Sequence, residues 1–167
     1  MVVLDGKKTA QDLKEEIKIT VSEIRKDGQR SPHLAAILVG NDGASLTYVG
    51  SKVRSCKYVG FNSTLIHLDE STSEEILLKK ITELNQDDEL DGYIVQLPLP
   101  NHINEEKILL AIDPKKDVDG FHPSNFGRMA LEMDAFIPAT PFGIMELLER
   151  YQIETTGKHC VVIGRSH

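Results

Sequence analysis

Short apolar runs alternate with helical stripes along this chain, and that alternation restricts the fold more than any other feature. His33–Val39 is a continuous apolar run followed by a Gly40-Asn-Asp-Gly43 turn, which predicts a buried strand. Residues 62–68 and 91–96 predict a second and a third strand. Leu97-Pro-Leu-Pro100 ends the third, because Pro98 and Pro100 cannot continue a central ladder. Residues 158–164 predict a fourth. Between these runs, Ala10, Leu13, Ile17, Val21 and Ile24 recur at helical spacing as far as Asp27-Gly28. Leu46, Val49, Val53 and Cys56 form a second stripe. Thr72-Ser-Glu-Glu75 has a capping-box pattern and opens a third helix with Ile76, Leu77, Ile81 and Leu84 inward. Residues 105–112 form a short helix stopped by Asp113-Pro114, and Thr140-Pro141 caps and starts a helix through Tyr151. Right-handed crossovers then give an α/β fold, a mostly parallel sheet with helices on both faces.

A chain of 167 residues suits one domain, or one and part of a second. With 40% hydrophobic and 27% charged residues it has ordinary globular composition. A net charge of −7 without a basic tract argues against general binding to nucleic acid or an anionic membrane. Cys56 and Cys160 cannot make a disulfide framework. The N-terminus turns polar after four residues, and no apolar run reaches the roughly 20 residues of a membrane helix. A cytoplasmic location is expected. The segment 113–140 holds Pro114, Gly120, Pro123, Gly127 and Pro138 with little periodicity, and long irregular segments of this kind are usually functional or linkers.

Ser45, Tyr48 and Lys52 lie at i, i+3 and i+7, on one narrow helical stripe beside the apolar one. A lysine at such an edge can be partly desolvated and serve in proton transfer. Most helices with this spacing simply carry a solvated lysine. Gln96 stands where the third strand ends, and ligands of open α/β sheets collect beyond the carboxyl ends of strands. Asp117 and Asp119 are too few carboxylates for calcium; one of them could instead grip a paired N–H face of a ligand, and a solvated turn is commoner than a metal site. The six histidines have no zinc spacing, and no metal site is expected. Val161-Val-Ile-Gly-Arg-Ser166 looks like the start of a dinucleotide-binding unit without its full glycine fingerprint.

Taken in order, these motifs resemble the bifunctional methylenetetrahydrofolate dehydrogenase / methenyltetrahydrofolate cyclohydrolase family. The resemblance runs through Ala44-Ser-Leu-Thr-Tyr-Val-Gly-Ser-Lys52, Asp91-Gly-Tyr-Ile-Val-Gln-Leu-Pro-Leu-Pro100 and Asp113-Pro-Lys-Lys-Asp-Val-Asp-Gly120. It continues through Asn125-Phe-Gly-Arg128, Ile137-Pro-Ala-Thr-Pro-Phe-Gly143 and Val161-Val-Ile-Gly-Arg-Ser166. It implies oxidation of a methylene-bridged tetrahydrofolate by NADP, then hydrolysis of the methenyl cation to the 10-formyl form. It also implies a homodimer and a folate cleft between a catalytic and a Rossmann domain. Residue by residue, Lys52 matches the catalytic lysine and Tyr48 the ring that stacks on the pterin and aminobenzoyl system. Gln96 matches the residue that orients the lysine and the folate, and Asp119 the carboxylate on the amino-pyrimidine edge. Ser45 would support the lysine, while Pro98, Leu99 and Pro100 would shape the cleft wall. Gly164, Arg165 and Ser166 match the start of the NADP loop, where arginine suits phosphate. Ala139 stands where many members have cysteine, which argues against a required cysteine there.

The expected division is a folate-binding catalytic domain over 1–139, then a connecting helix and first strand of a truncated NAD(P)-binding Rossmann domain over 140–167. With most of the nucleotide loop missing, the chain is expected to lack dehydrogenase activity. The alternatives are, first, a related single-activity member or a folate-binding domain without catalysis and, second, a flavodoxin-like interaction module. The second accounts for the α/β pattern but not for Lys52 together with Gln-Leu-Pro-Leu-Pro.

Overall fold

The computed structural model describes residues 3–164. Three parallel strands, β1 (His33–Val39), β2 (Asn62–Leu68) and β3 (Gly92–Val95), form a sheet in the order β2-β1-β3. Six helices accompany them: α1 (Gly6–Lys26), α2 (Gly43–Val59), α3 (Glu74–Asn85), α4 (Glu105–Ala111), α5 (Pro123–Ala130) and α6 (Ala139–Arg150). The pleat divides the core. Ala35, Ile37, Val39, Tyr93 and Val95 pack with Leu77, Ile81 and Leu84 of α3 and Ile108 of α4. Ala36 and Ile94 point to the opposite face, against Val49 of α2. The sheet is therefore covered on both sides, which is why β1 and β3 read as continuous apolar runs.

Local chemistry starts the helices where they start. Asp5, Asp42, Ser73, Asn104 and His122 each accept a first-turn N–H of α1 to α5 in that order. Asn85, at the end of α3, then ties down the chain beyond α4. Its amide donates to Ala111 O, and its Oδ1 accepts from Asp113 N at 2.9 Å and from the Tyr93 hydroxyl at 2.6 Å.

Several expectations are corrected. Residues 158–164 are irregular, and Val161, Val162 and Ile163 are exposed; a strand needs a ladder partner, and the described sheet offers this segment none. Ser73, not Thr72, caps α3, and Ile76 points outward while Leu77, Ile81 and Leu84 are buried. α6 begins at Ala139 without a side-chain cap, so Thr140 lies inside its first turn. The segment 113–140 contains a helix, α5, because Pro123 pre-sets its first turn after the His122 cap. Of the first apolar stripe only Val21 is buried, and Ile17 is exposed.

Candidate active site

The site lies beyond the carboxyl ends of β1 and β3. α2 follows β1 after a three-residue loop, so its first three turns, carrying Ser45, Tyr48 and Lys52, stand above the sheet edge. Ser45 is buried and turned inward with Val49, while Leu46 is exposed. Of the expected stripe, Val49 is buried, Val53 packs against the same cluster and Cys56 is half-buried; only Leu46 turns outward, and Ser45 takes its place. Lys52 is half-buried at the edge of that stripe and Tyr48 is exposed, with the Lys52 Nζ 5.8 Å from the Tyr48 ring centroid.

Opposite α2, residues 116–118 run parallel to β3: Tyr93 N donates to Lys116 O at 2.9 Å, and Tyr93 bridges Asp117. Gly92 makes this approach possible, since a Cβ there would overlap Val118 Cγ1. The parallel register carries Asp119 level with the end of β3. Gly120, with φ +70°, then turns the chain so closely on Ile137–Pro138 that a Cβ would meet Pro138 N at 2.6 Å. Asp119 Oδ1 stands 3.9 Å from Lys52 Nζ, an ion contact without a hydrogen bond. Burial pushes the Asp119 carboxyl above the ordinary aspartate value; Lys52 opposes that shift and Asp117 adds to it.

Gln96 is the first residue past β3, fixed by donation of its N–H to Ile37 O at 2.9 Å. Its side-chain amide donates to Leu97 O at 2.8 Å, and its Oε1 is buried without a partner among the described residues. The loop that follows has a cis Leu97-Pro98 bond. Pro98 is exposed and Pro100 half-buried, whereas the Leu99 side chain lies in the larger core cluster and its N–H is held by Glu105 Oε1. Gly164 stands in open space, and Arg165 and Ser166 lie outside the described residues.

The fold thus brings Tyr48, Lys52 and Asp119 together and sets Gln96 at the adjacent strand end. Gly92 and Asn125 stand in motifs that carry the resemblance, but the sequence assigned neither a role: a glycine opening a strand and an asparagine in a short helix do not show what they pack against. A hollow of about 650 Å³ beside α5, lined by Pro114, Arg128 and Phe136 among others, includes none of the four.

The model of the tetrahydrofolate dehydrogenase/cyclohydrolase catalytic domain matches residues 4–119 of this chain. The chain belongs to that family. The NAD(P)-binding domain model of the same family matches residues 138–167. The bifunctional protein FolD of Flavobacterium johnsoniae is 72% identical over 167 residues, which is all of this chain and 57% of that protein. The chain therefore spans little more than half the length of such curated relatives. The crystal structure of the FolD dehydrogenase/cyclohydrolase from Campylobacter jejuni is similar with a TM-score of 0.96 and 45% identity, over 99% of this chain and 59% of that one. The Trypanosoma brucei FolD structure, complexed with NADP cofactor and inhibitor, has a TM-score of 0.89 and 32% identity, over 94% of this chain and 54% of its own. No described helix is long and apolar enough to cross a membrane.

Proposed function

We propose that this chain carries the folate side of a methylenetetrahydrofolate dehydrogenase / methenyltetrahydrofolate cyclohydrolase site. The buried, unpartnered Gln96 Oε1 beside the Lys52–Asp119 pair carries this reading. A buried acceptor left unpaired costs stability and is retained where a ligand supplies the donor.

The Tyr48 ring, exposed at the rim, stacks on the flat pterin and aminobenzoyl system. Asp119 accepts from the paired N–H groups of the amino-pyrimidine edge, a match of one carboxylate to two donors. Gln96 Oε1 accepts from the folate or from Lys52. In the cyclohydrolase step, water adds to the amidinium carbon and gives a proton to the Lys52 amine. The C–N5 bond then breaks as N5 takes the proton back from Lys52, the hydroxyl on the carbon gives up its proton to solvent as the carbonyl forms, and the carbon stays on N10 as the 10-formyl group.

The dehydrogenase step needs a hydride acceptor, which NADP supplies when bound. Gly164, with space for close backbone approach, and Arg165 and Ser166, which suit phosphate, would hold its start. The division into 1–139 and 140–167, the homodimer and a cytoplasmic location belong to the same reading. Absorbance decay of 5,10-methenyltetrahydrofolate with the chain, compared with Lys52→Ala, tests it: decay above background that the substitution abolishes supports it, and equal decay overturns it.

A further inference from the structure

We propose that Asp117 and Asn125 are positioning residues for Asp119, forming a buried carboxylate–amide clasp that closes the loop between Pro114 and His122 and sets where the Asp119 carboxylate stands opposite Lys52. Among the described residues the Asp119 side chain makes only the 3.9 Å contact with Lys52, too loose to fix a side chain. Its place is determined by what holds the backbone on either side. Asp117 Oδ2 accepts from His122 N at 2.8 Å and from Asn125 Nδ2 at 3.0 Å. The same Asn125 amide donates to Pro114 O at 2.9 Å. The Asn125 amide thus joins the Pro114 end of the loop to the Asp117 carboxylate, the His122 N–H joins the other end to the same group, and the Asp117 and Asn125 side chains are almost fully buried.

The strand side is held independently. Asp117 bridges Tyr93, and the Lys116 Nζ donates to Leu84 O and Asp87 O, at the end of α3. Asp119 is therefore carried on a short arm between two anchored points. A loop closed only for stability does not require a carboxylate here: burying a charge with neutral donors is expensive, and an asparagine oxygen could accept the same two bonds. The charge has a second effect. Asp117 acts on Asp119 from its own segment, and Lys52 acts on it from α2 with the opposite sign. Tyr93 of β3 and the N–H of His122, which caps α5, both meet Asp117 and not Asp119, so Asp117 and Lys52 are the charged groups that act on Asp119.

The proposal rests on the folate reading only for the use made of Asp119, and the test separates the two. The Asp119 carboxyl is titrated by carbon-13 NMR in the full chain, as wild type and as Asp117→Asn. In parallel, affinity for 5-formyltetrahydrofolate, a stable folate probe, is measured against pH. With Asp117→Asn, removal of the like charge moves the Asp119 midpoint to lower pH, and the acid limb of probe binding moves with it. Asn125→Ala, which removes only the amide link, weakens the probe several-fold at pH 7 and changes the Asp119 carboxyl shift in a chain that still unfolds cooperatively; it provides the readout if Asp117→Asn does not fold. An Asp119 titration and shift unaltered in a folded variant would overturn the clasp. Altered titration without probe binding in the wild type would uphold the clasp and overturn the folate reading.

Discussion

Asp119 is held between opposing influences, and its acid–base behaviour follows from them. Burial, reinforced by Asp117, raises its folded-state value above that of the unfolded chain. Between those two values the folded state binds more protons, so stability falls as pH rises through the window. An ionised Asp119 at neutral pH therefore costs the fold. Asp119→Asn is expected to raise Tm at pH 7 by calorimetry, with the difference closing below the ordinary aspartate range. The same change should weaken 5-formyltetrahydrofolate roughly 10- to 100-fold, the scale of hydrogen bonds to a charged group. Gln96 poses a similar trade. Because its Oε1 is buried and unpaired, Gln96→Met should leave Tm level or raise it while weakening the probe, which thermal unfolding and titration of one sample would read together. A residue that stabilises the fold when removed, yet weakens the ligand, is present for the ligand.

At the scale of elements, the site depends on two close approaches that patterning does not reveal. Gly92→Ala would drive a methyl into Val118 and push the 116–118 segment away from β3. A loss of about 1–3 kcal/mol, typical of overpacking, together with lost probe binding, is expected from denaturant unfolding and titration. Capping offers a cleaner comparison. Ser73→Ala should cost about 1 kcal/mol and Thr72→Ala much less, because only Ser73 accepts an N–H of α3. The sequence placed β1 and β2 at their observed bounds: β1 is a buried parallel strand that reads as an unbroken apolar run, whereas β2 is a mixed, largely exposed edge strand. It also read the end of β3 before Pro98 and Pro100, which cannot continue a central ladder. It missed α5, whose eight residues are too few to show a period, and on α2 it placed Leu46 inward where Ser45 is buried, because Ser45 is polar yet turned inward. Residues 158–164 have strand composition but no neighbour in the described sheet, and composition alone does not make a ladder.

For the molecule as a whole, stability is distributed unevenly. The sheet, α3 and α4 share one continuous core, whereas α6 buries no residue and leaves Phe142, Ile144 and Met145 exposed. α6 meets α1 through the Arg150–Glu16 pair and through Tyr151, just past its end, whose hydroxyl accepts from Asp5 N. Exposed ion pairs of this kind are worth roughly 0–1 kcal/mol. Hydrogen exchange should therefore find the amides of α6 opening far more readily than those of β1 or α3. The candidate site sits on the stable part, on α2, the exit of β3 and the anchored loop before α5. Its chemistry was legible in outline because Tyr48, Lys52, Gln96 and Asp119 belong to motifs whose order is specific. Their convergence was not legible, because it depends on a parallel register that sequence does not display. The most direct measurement is the decay of 5,10-methenyltetrahydrofolate absorbance with the chain and with its Lys52→Ala variant. Saturable decay that the substitution removes while probe binding persists is expected; decay unchanged by Lys52→Ala would contradict proton transfer by Lys52.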